Sequence, residues 1–329
     1  MQETERKLQL TGKQALYVLL EKRQGEYVSG EELAGELCVS RNAIWKAVCT
    51  LREEGNEIEA VTGKGYRLTK KSSAVTEGEI CSHLNKTGGI CTVEVIDEAD
   101  STNRMAKEAA LAGAKEGTLL VARKQQLGKG RLGRSFFSPE GGVYMSVVLR
   151  PRIAAEKATF ITTCAAVAVA RAIEKETGLT AGIKWVNDIF VHGKKVCGIL
   201  TEAGINFETG IPEYAVLGIG INVEKQSVPE ELKGIVGCLE EETGTEINKS
   251  RLAATVWNEF FSLYDELSTA AYMEEYKNRS VLLGKTVTVI STEGDYEAKV
   301  CDIDKDGHLV IEREGKKGIL SSGEVSVRM

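Results

Sequence analysis

The chain has 329 residues, with 42 Lys and Arg against 48 Asp and Glu, and 42% of its residues are hydrophobic. This length suggests two or three domains, and the ordinary apolar fraction excludes disordered and collagen-like chains. No apolar run approaches the ~20 residues that cross a bilayer, and the charged N-terminal stretch lacks the apolar core of a secretion signal. We therefore expect a cytoplasmic protein without membrane contact.

The cysteine pattern points the same way. The eight cysteines are scattered, no CxxC pair occurs, and most stand among apolar residues, as Cys38 does between Leu37 and Val39. This is typical of small core side chains rather than of a disulfide framework. Because only three histidines accompany them and no His/Cys cluster exists, neither a structural zinc site nor a histidine-based nucleophilic triad is expected.

Residues 1–71 are predicted to form a winged helix-turn-helix domain. A helical apolar pattern at residues 14–21 is followed by Ser29 and Ser40, each at the expected N-cap of a further helix. Two short helices joined by a brief turn are typical of a helix-turn-helix. Two short alternating segments around residues 62–64 form the hairpin that would be its wing.

Charge placement in this segment favours DNA binding. The predicted helix-turn-helix begins at Gly30 and ends at Cys49, and basic residues gather on its last helix and on the wing, whereas acidic residues prefer the first two helices. A recognition helix in the major groove with a basic wing on phosphate explains that segregation. A three-helix module for protein interaction is the alternative. The candidate DNA contacts are Ser40, Arg41, Asn42 and Lys46 on the helix and Lys64 and Arg67 on the wing.

Residues 70–78 are charged and small, without an apolar period, and are the predicted linker to a middle domain at residues 79–280. That domain mixes strands and helices in an α/β or α+β arrangement too irregular for strict βαβ winding. Its predicted strands are 92–96, 118–122, 143–149, 182–186, 196–202 and 214–223, and its predicted helices are 102–112, 154–177 and 251–267.

Residues 281–329 show a different pattern from the middle domain. Short alternating segments at 286–290, 296–303, 308–312 and 318–327 are separated by turn clusters. This pattern predicts a small antiparallel β-barrel.

The most informative stretch is QQLGKGRLGR at residues 125–134. It contains GxGxxG, but the residues that follow, SFFSP, cannot open a helix, so a dinucleotide-binding turn is rejected. Glycines let backbone N–H groups approach a ligand, and Lys129, Arg131 and Arg134 neutralise phosphate or carboxylate. An anion-binding loop that becomes ordered on its ligand is one interpretation, and a solvated basic loop is the other.

Two further segments favour the anion-binding interpretation. The sequence KWVND at residues 184–188 ends a predicted strand, where sites of α/β proteins often lie, and KKVCGILTE at residues 194–202 begins another strand with lysines.

Four motifs, in their order along the chain, resemble those of bifunctional biotin–protein ligases and biotin operon repressors. They are Ser101-Thr102-Asn103, the GKGRLGR loop, KWVND, and KKVCGIL followed by GIGIN at residues 218–222. The resemblance covers the whole chain. Lys129 replaces an arginine of the usual GRGR, Val186 replaces the proline of KWPND, and Phe136 replaces a tryptophan, so charge and aromatic surface are kept.

The resemblance implies a fold and a role for each matched residue. The fold is α+β and multidomain: a winged helix-turn-helix, a central mixed α/β domain of the biotin/lipoate ligase type, and a C-terminal SH3-like β-barrel. The implied biotin-binding residues are Ser101, Thr102, Asn103, Gln125, Lys129, Gly130, Arg131 and Lys195. The implied ATP-binding and catalytic residues are Arg131, Arg134, Phe136, Asn187, Asp188, Lys195 and Asn222, with Asp188 the candidate ligand for Mg²⁺.

The implied activity is ATP-dependent formation of biotinyl-5′-AMP, transfer of biotin to a lysine of the biotin carboxyl carrier protein of acetyl-CoA carboxylase, and repression of biotin genes at operator DNA. A lipoate-type ligase and a non-enzymatic ligand-sensing repressor are the alternatives. Because one recognition helix reads one half-site, a homodimer is expected on ligand binding. The expected dimer contact is the edge of the middle sheet, with residues 214–223 as the candidate strand.

Overall fold

The computed structural model describes residues 10–85, 92–205, 210–291, 294–321 and 324–326. The first nine residues of the predicted winged helix, Cys91 and the end of the last predicted strand lie outside the described residues. Within these ranges, none of the helices has the length and apolar character to cross a membrane.

The N-terminal domain is a winged helix-turn-helix, as predicted. Its elements are α1 (Gly12–Lys22), α2 (Gly30–Glu36), α3 (Arg41–Glu53), β1 (Glu57–Val61) and β2 (Gly65–Lys70). The serines predicted as N-caps act as such, since Ser29 Oγ accepts from the Glu32 amide and Ser40 Oγ from the Ala43 amide. The helices and wing enclose a small core of their own, which includes Leu16, Leu20, Leu33, Ile44, Val48, Leu51 and Leu68.

The linker brings the two domains into close contact. Helix α4 (Glu77–His83) follows it and packs on α1, where a Cβ on Gly78 would lie 2.5 Å from Tyr17 Cγ. Across the same interface, Gln14 Nε2 donates to the Val93 carbonyl at 3.2 Å, and Lys13 lies 3.0 Å from Glu77. The winged helix therefore rests against the middle domain through buried groups.

The middle domain is built on a seven-stranded mixed sheet in the order β3-β4-β5-β9-β8-β7-β6. One pair, β3 and β4, is parallel, and the other pairs are antiparallel. The strands are β3 (Val93–Ala99), β4 (Leu119–Gln125), β5 (Gly142–Leu149), β6 (Gly182–Lys184), β7 (Asp188–Val191), β8 (Lys194–Ile205) and β9 (Pro212–Asn222).

The expected edge strand is in the middle of the sheet. Strand β9, which covers residues 214–222 of the predicted segment, pairs with β5 on one side and β8 on the other. The prediction that residues 214–223 offer a sheet edge for dimer contact is wrong, because both of its hydrogen-bonding sides are occupied within the chain.

Helices cover both faces of this sheet. Helix α6 (Thr159–Thr177) is buried almost all round and packs with α8 (Lys249–Tyr264) on one face, and α5 (Thr102–Leu111) packs on the other. The predicted helix at 154–177 starts later than expected, because residues 155–157 form a separate 3-10 turn. Two short helices, α7 (Leu239–Thr243) and α9 (Met273–Asn278), complete the domain.

The C-terminal domain is all β, as predicted. Its strands are β10 (Thr286–Ile290), β11 (Tyr296–Ile303), β12 (Leu309–Arg313), β13 (Lys316–Leu320) and β14 (Glu324–Ser326). They form an antiparallel ladder in the order β13-β12-β11-β10-β14. Among the described residues no hydrogen-bonded pairing joins β13 to β14, so this ladder is a five-stranded sheet with two ends. Its inner side chains are continuous with the core of the middle domain.

Candidate functional site

Strand alternation creates the cavity. On β9, Leu217, Ile219 and Ile221 point into the core beneath α6, so the residues between them face the side of α5. Those positions are Gly218 and Gly220, and a Cβ on them would lie 2.0 Å from Asn103 Oδ1 and 2.5 Å from Phe136 Cε1. The glycines of GIGIN thus leave the space that two predicted site residues occupy.

The first wall of the cavity is a network of neutral polar groups at the start of α5. Gln125 Oε1 accepts from the Thr102 amide at 2.8 Å and from Thr102 Oγ1 at 3.0 Å, and Gln125 Nε2 donates to Ser138 Oγ at 3.0 Å. Ser101 is the N-cap of α5, yet its side chain makes no cap hydrogen bond and lines the cavity. These groups are oriented by the protein itself.

Two residues that the sequence analysis missed support this wall. Ser146 is fully buried on β5, and its Oγ donates to Asn103 Oδ1 at 2.7 Å and lies 2.8 Å from Thr102 Oγ1. The Asn103 Nδ2 donates to Glu202 Oε2 at 2.8 Å. Both polar ends of Asn103 therefore have partners within the protein. The sequence signal was a lone serine in the apolar run GVYMSVVL.

The glycine-rich loop lines the cavity and forms a tight hairpin. The Gly130 amide donates to the Arg134 carbonyl at 2.7 Å, and the Phe136 amide donates to the Gly128 carbonyl at 2.8 Å. At the tip, Leu132 adopts φ 55° and ψ 33°, a left-handed conformation that is uncommon for a branched side chain, and it is 76% exposed. That the loop becomes ordered on its ligand stays a prediction.

The second wall is cationic. The lining includes Lys129, Arg131, Arg134, Lys184 and Lys195, together with a single carboxylate among the described residues, that of Asp188. Lys195 Nζ lies 2.7 Å from Asp188 Oδ1, and these side chains are 26% and 22% exposed. Arg131 Nη1 donates to Asn187 Oδ1 at 3.2 Å, which links the loop to the KWVND segment. Such a surface binds anions.

All but one of the residues predicted for biotin and ATP line this one cavity. The exception is Asn222, whose Nδ2 donates to the Gly237 carbonyl at 3.2 Å. It lies at the end of β9 and contacts the segment that follows, so the cavity lining does not include it.

The C-terminal domain contacts the wall of the cavity at Trp185. Trp185 lines the cavity, and its Nε1 donates to the carbonyl of Gly307, in the turn between β11 and β12, at 2.8 Å. Tyr276 Oη on α9 donates to the carbonyl of Val186 at 3.0 Å. The KWVND segment is therefore held by two elements from distant parts of the sequence.

The predicted DNA face is exposed, but its members differ. Arg41, Asn42 and Lys46 are exposed on α3, whereas Ser40 is occupied as the N-cap. On the wing, Lys64 is exposed, and its Nζ lies 5.6 Å from the centroid of the Tyr27 ring. Arg67 lies over the same ring at 4.4 Å from its centroid, and it differs from Lys64 in its ion pair with Glu59 at 2.6 Å.

Comparison with known proteins agrees with this architecture. A family model described as the biotin/lipoate A/B protein ligase family matches residues 95–222, an HTH domain model matches residues 13–67, and a biotin protein ligase C-terminal domain model matches residues 282–328.

Relatives match over nearly the whole chain. The bifunctional ligase/repressor BirA of Bacillus subtilis is 37% identical over 93% of this chain and 96% of its own length, and that of Escherichia coli is 30% identical over 92% and 94%. The solved structure of the biotin protein ligase of Aquifex aeolicus in complex with biotin and ATP is 29% identical, with a TM-score of 0.62 over 72% of this chain and 98% of its own. The chain thus belongs to the biotin/lipoate protein ligase family and, within it, to the bifunctional ligase/repressors that join this domain to a helix-turn-helix.

Proposed function

We propose that this protein activates biotin with ATP to biotinyl-5′-AMP, transfers the biotinyl group to a lysine of the biotin carboxyl carrier protein of acetyl-CoA carboxylase, and represses biotin genes. One observation carries the enzymatic part. A wall of neutral, pre-oriented hydrogen-bonding groups and a wall of five cations with one carboxylate face the same cavity. The first suits a neutral polar ring system, and the second suits a carboxylate beside a nucleotide phosphate.

The neutral wall would hold the ureido head of biotin. A urea group has one acceptor oxygen and two N–H donors, so it needs donors and acceptors side by side. The Ser101 hydroxyl can donate and accept, the Thr102 hydroxyl oxygen can accept, and Gln125 Nε2 has a second N–H beyond the one it gives to Ser138. Asn103 would act by shape, since its amide is held by Ser146 and Glu202.

The cationic wall would align two anions for reaction. In the first step a biotin carboxylate oxygen bonds to the α-phosphorus of ATP, the bond to the bridging oxygen breaks, and pyrophosphate leaves. Lys195 would screen the carboxylate, and Arg131 and Arg134 would stabilise the charge that develops on the phosphate oxygens. This is positioning and electrostatic stabilisation rather than acid–base catalysis.

The residues present fit a Mg²⁺ ion that is shared with ATP. Asp188 offers a carboxylate in the cavity, and Mg²⁺ is usually held by one or two carboxylates together with substrate phosphates. Asp188, whose carboxylate lies 2.7 Å from Lys195 Nζ, would hold the ion. When bound, Mg²⁺ would neutralise phosphate charge.

In the second step the neutral amine of the carrier lysine forms a bond to the acyl carbon of biotinyl-AMP, the C–O bond to the phosphate breaks, AMP leaves, and the amine nitrogen gives up a proton to solvent. The loop of residues 128–134 lines the cavity, and it would keep water from the bound adenylate until the carrier arrives. Arg131 would hold the departing phosphate.

Repression would use the exposed helix α3 and the wing on operator DNA. One domain presents one recognition helix, so we propose a ligand-dependent homodimer. Because ATP and genomic DNA are both cytoplasmic in bacteria, we propose the same location for the protein.

The test is pyrophosphate release by purified protein. We expect release with biotin and ATP together, little with lipoate and ATP, and ATP-dependent labelling of the carrier protein. Release with lipoate and ATP, but not with biotin and ATP, would favour the lipoate-type ligase. DNA binding without any pyrophosphate release would favour a non-enzymatic sensor.

A further inference from the structure

A tryptophan stands in solvent on the recognition helix. Trp45 is 54% exposed, whereas the other two tryptophans of the chain, Trp185 and Trp257, are buried. The core-facing side of α3 is formed by Ile44, Val48 and Leu51, and Trp45 is not part of that core. An indole ring is among the largest apolar surfaces that a side chain can offer to a ligand, and Trp45 presents it on the recognition helix itself.

The neighbours of Trp45 indicate the kind of partner. In a helix, residues three and four positions apart are adjacent, which places Asn42 and Arg41 beside Trp45, both of them exposed. Lys46 follows and is exposed as well. An apolar ring among cations fits a polyanion that also carries an apolar feature, and it fits an apolar protein surface poorly, because the cations would lose their hydration there.

We propose that Trp45 is a specificity-determining residue that contacts the 5-methyl group of a thymine in the major groove. The N-terminal residues of a recognition helix face the base edges, and Trp45 lies in the second turn of α3. The thymine methyl is the apolar group that base edges present in the major groove. This inference rests on the DNA-binding role proposed above and deepens it.

The experiment uses the full chain with biotin and ATP. The wild-type protein first selects duplexes from a random-sequence pool, and each thymine of a selected duplex is then replaced in turn by deoxyuridine, which removes only the methyl group. For wild type we expect one thymine per half-site whose replacement weakens binding about fourfold, the value of burying one methyl group. Trp45→Ala should bind the parent duplex about tenfold more weakly and be indifferent to that methyl, whereas Trp45→Phe should keep part of the sensitivity.

Two controls separate this role from a loss of structure. Ile319→Ala removes another exposed apolar side chain, on β13, and should bind every duplex as wild type does. Trp45→Ala should release pyrophosphate at the wild-type rate and keep the wild-type salt dependence of DNA binding, because no charge is removed.

A failure of the role of Trp45 can be told apart from a failure of the DNA-binding function. Wild-type affinity of Trp45→Ala for the parent duplex, or an equal methyl effect in both proteins, would overturn the role of Trp45 while DNA binding survives. A wild-type protein that selects no sequence at all would instead overturn the DNA-binding function, and this inference with it.

Acrylamide quenching gives a direct reading of the ring. Because Trp185 and Trp257 are buried, quenching at constant biotin and ATP reports mainly on Trp45. The selected duplex should protect wild type and leave Trp45→Phe unchanged. If the duplex protects Trp45 from quenching but its affinity does not depend on any thymine methyl, the ring contacts the DNA backbone and the proposed contact with a base is wrong.

Discussion

The ligand cavity and the DNA face both concentrate cations, but they hold them differently. In the cavity, Lys195 and Asp188 come from the neighbouring strands β8 and β7 and form a largely buried ion pair. On the DNA face, Lys46 and Lys64 project into solvent from a helix and a wing, and Arg67 is paired with an acid on the same hairpin.

This difference has an energetic consequence. Removing a cation from the cavity leaves a sheltered anion without its partner and removes a group that screens the reacting centre, so the loss is large. A cation on the convex face is screened by salt, and its removal costs one phosphate contact among several. We therefore expect single substitutions to have graded effects, largest in the cavity and smallest on the wing.

The largest effect is expected for Lys195→Met. Loss of this charge should lower the rate of pyrophosphate release about 10²- to 10³-fold, as loss of a charge-stabilising group in an enclosed site does. The matched control is the adjacent Lys194→Met. Lys194 pairs with Glu242 at 3.0 Å outside the cavity lining, and Glu242 keeps His192 as a second partner at 2.7 Å when Lys194 is replaced.

A double variant tests whether Lys195 acts on substrate or only on its neighbour. Lys195→Met combined with Asp188→Asn no longer leaves an unpaired carboxylate. Because Asp188 is also the proposed Mg²⁺ ligand, the readout is the affinity for biotin without ATP or Mg²⁺, with Asp188→Asn alone as the reference. If Lys195 acts on the biotin carboxylate, the double variant binds biotin as weakly as Lys195→Met does. Recovery to the affinity of Asp188→Asn would reduce Lys195 to a partner of Asp188.

The next effect is that of Arg131→Gly. This substitution removes the hydrogen bond to Asn187 and a cation that faces the adenylate phosphate. A charge-assisted hydrogen bond contributes roughly 1.5 to 3 kcal/mol, so we expect ten- to a hundredfold faster escape of biotinyl-AMP. The measurements are retention of labelled adenylate through gel filtration and labelling of a bystander protein. Arg152→Gly, at an exposed arginine outside the cavity lining, is the control, and equal retention by both variants would contradict the role of Arg131.

A smaller effect is expected for Gly220→Ala. The new methyl would lie 2.5 Å from Phe136 Cε1 and must displace the ring. Overpacking of this kind costs about 1 to 3 kcal/mol, and we expect the KM for ATP to rise about tenfold while biotin affinity changes little.

The clash itself can be tested by a second substitution. If the ring is the cause, Gly220→Ala with Phe136→Leu should be no worse than Phe136→Leu alone. Gly35→Ala, in open space on α2, is the control and should leave activity unchanged. An unaltered KM in Gly220→Ala would show that the strand can shift at no cost to the site.

These glycines also show what the sequence could and could not predict. The winged helix followed from local signals, since its caps and apolar period are properties of adjacent residues, and the cavity lining followed from the motifs. The hydrogen bonds that hold the cavity walls in place were not predicted, because each of them joins residues far apart in the sequence. Ser146 holds Asn103 across 43 positions, and the Gly307 carbonyl holds Trp185 across 122.

The prediction that residues 214–223 form an edge of the sheet was wrong for the same reason. The alternation within residues 214–223 showed that they form a strand, but a position in the sheet depends on which strands lie beside it. Strand β9 is buried on both faces, which is typical of a central strand, and that burial pattern could have warned against an edge. Asn222 was assigned to the nucleotide by its motif, yet its amide is turned to Gly237 by the path of the chain after β9.

The smallest effects are expected on the wing, where two basic residues that look equivalent in sequence should behave differently. Lys64 is exposed at the turn of the hairpin, so Lys64→Ala should reduce the slope of log affinity against log salt by about 0.9 and weaken binding a few-fold at low salt. Both residues lie over the neutral ring of Tyr27, but Arg67 is also paired with Glu59, which compensates its charge. Arg67→Ala should therefore leave the salt slope near its wild-type value. The comparison needs only titrations of the selected duplex at several salt concentrations, with Arg152→Gly as a neutral reference. If Arg67→Ala flattens the slope as much as Lys64→Ala does, Arg67 must leave Glu59 when DNA binds.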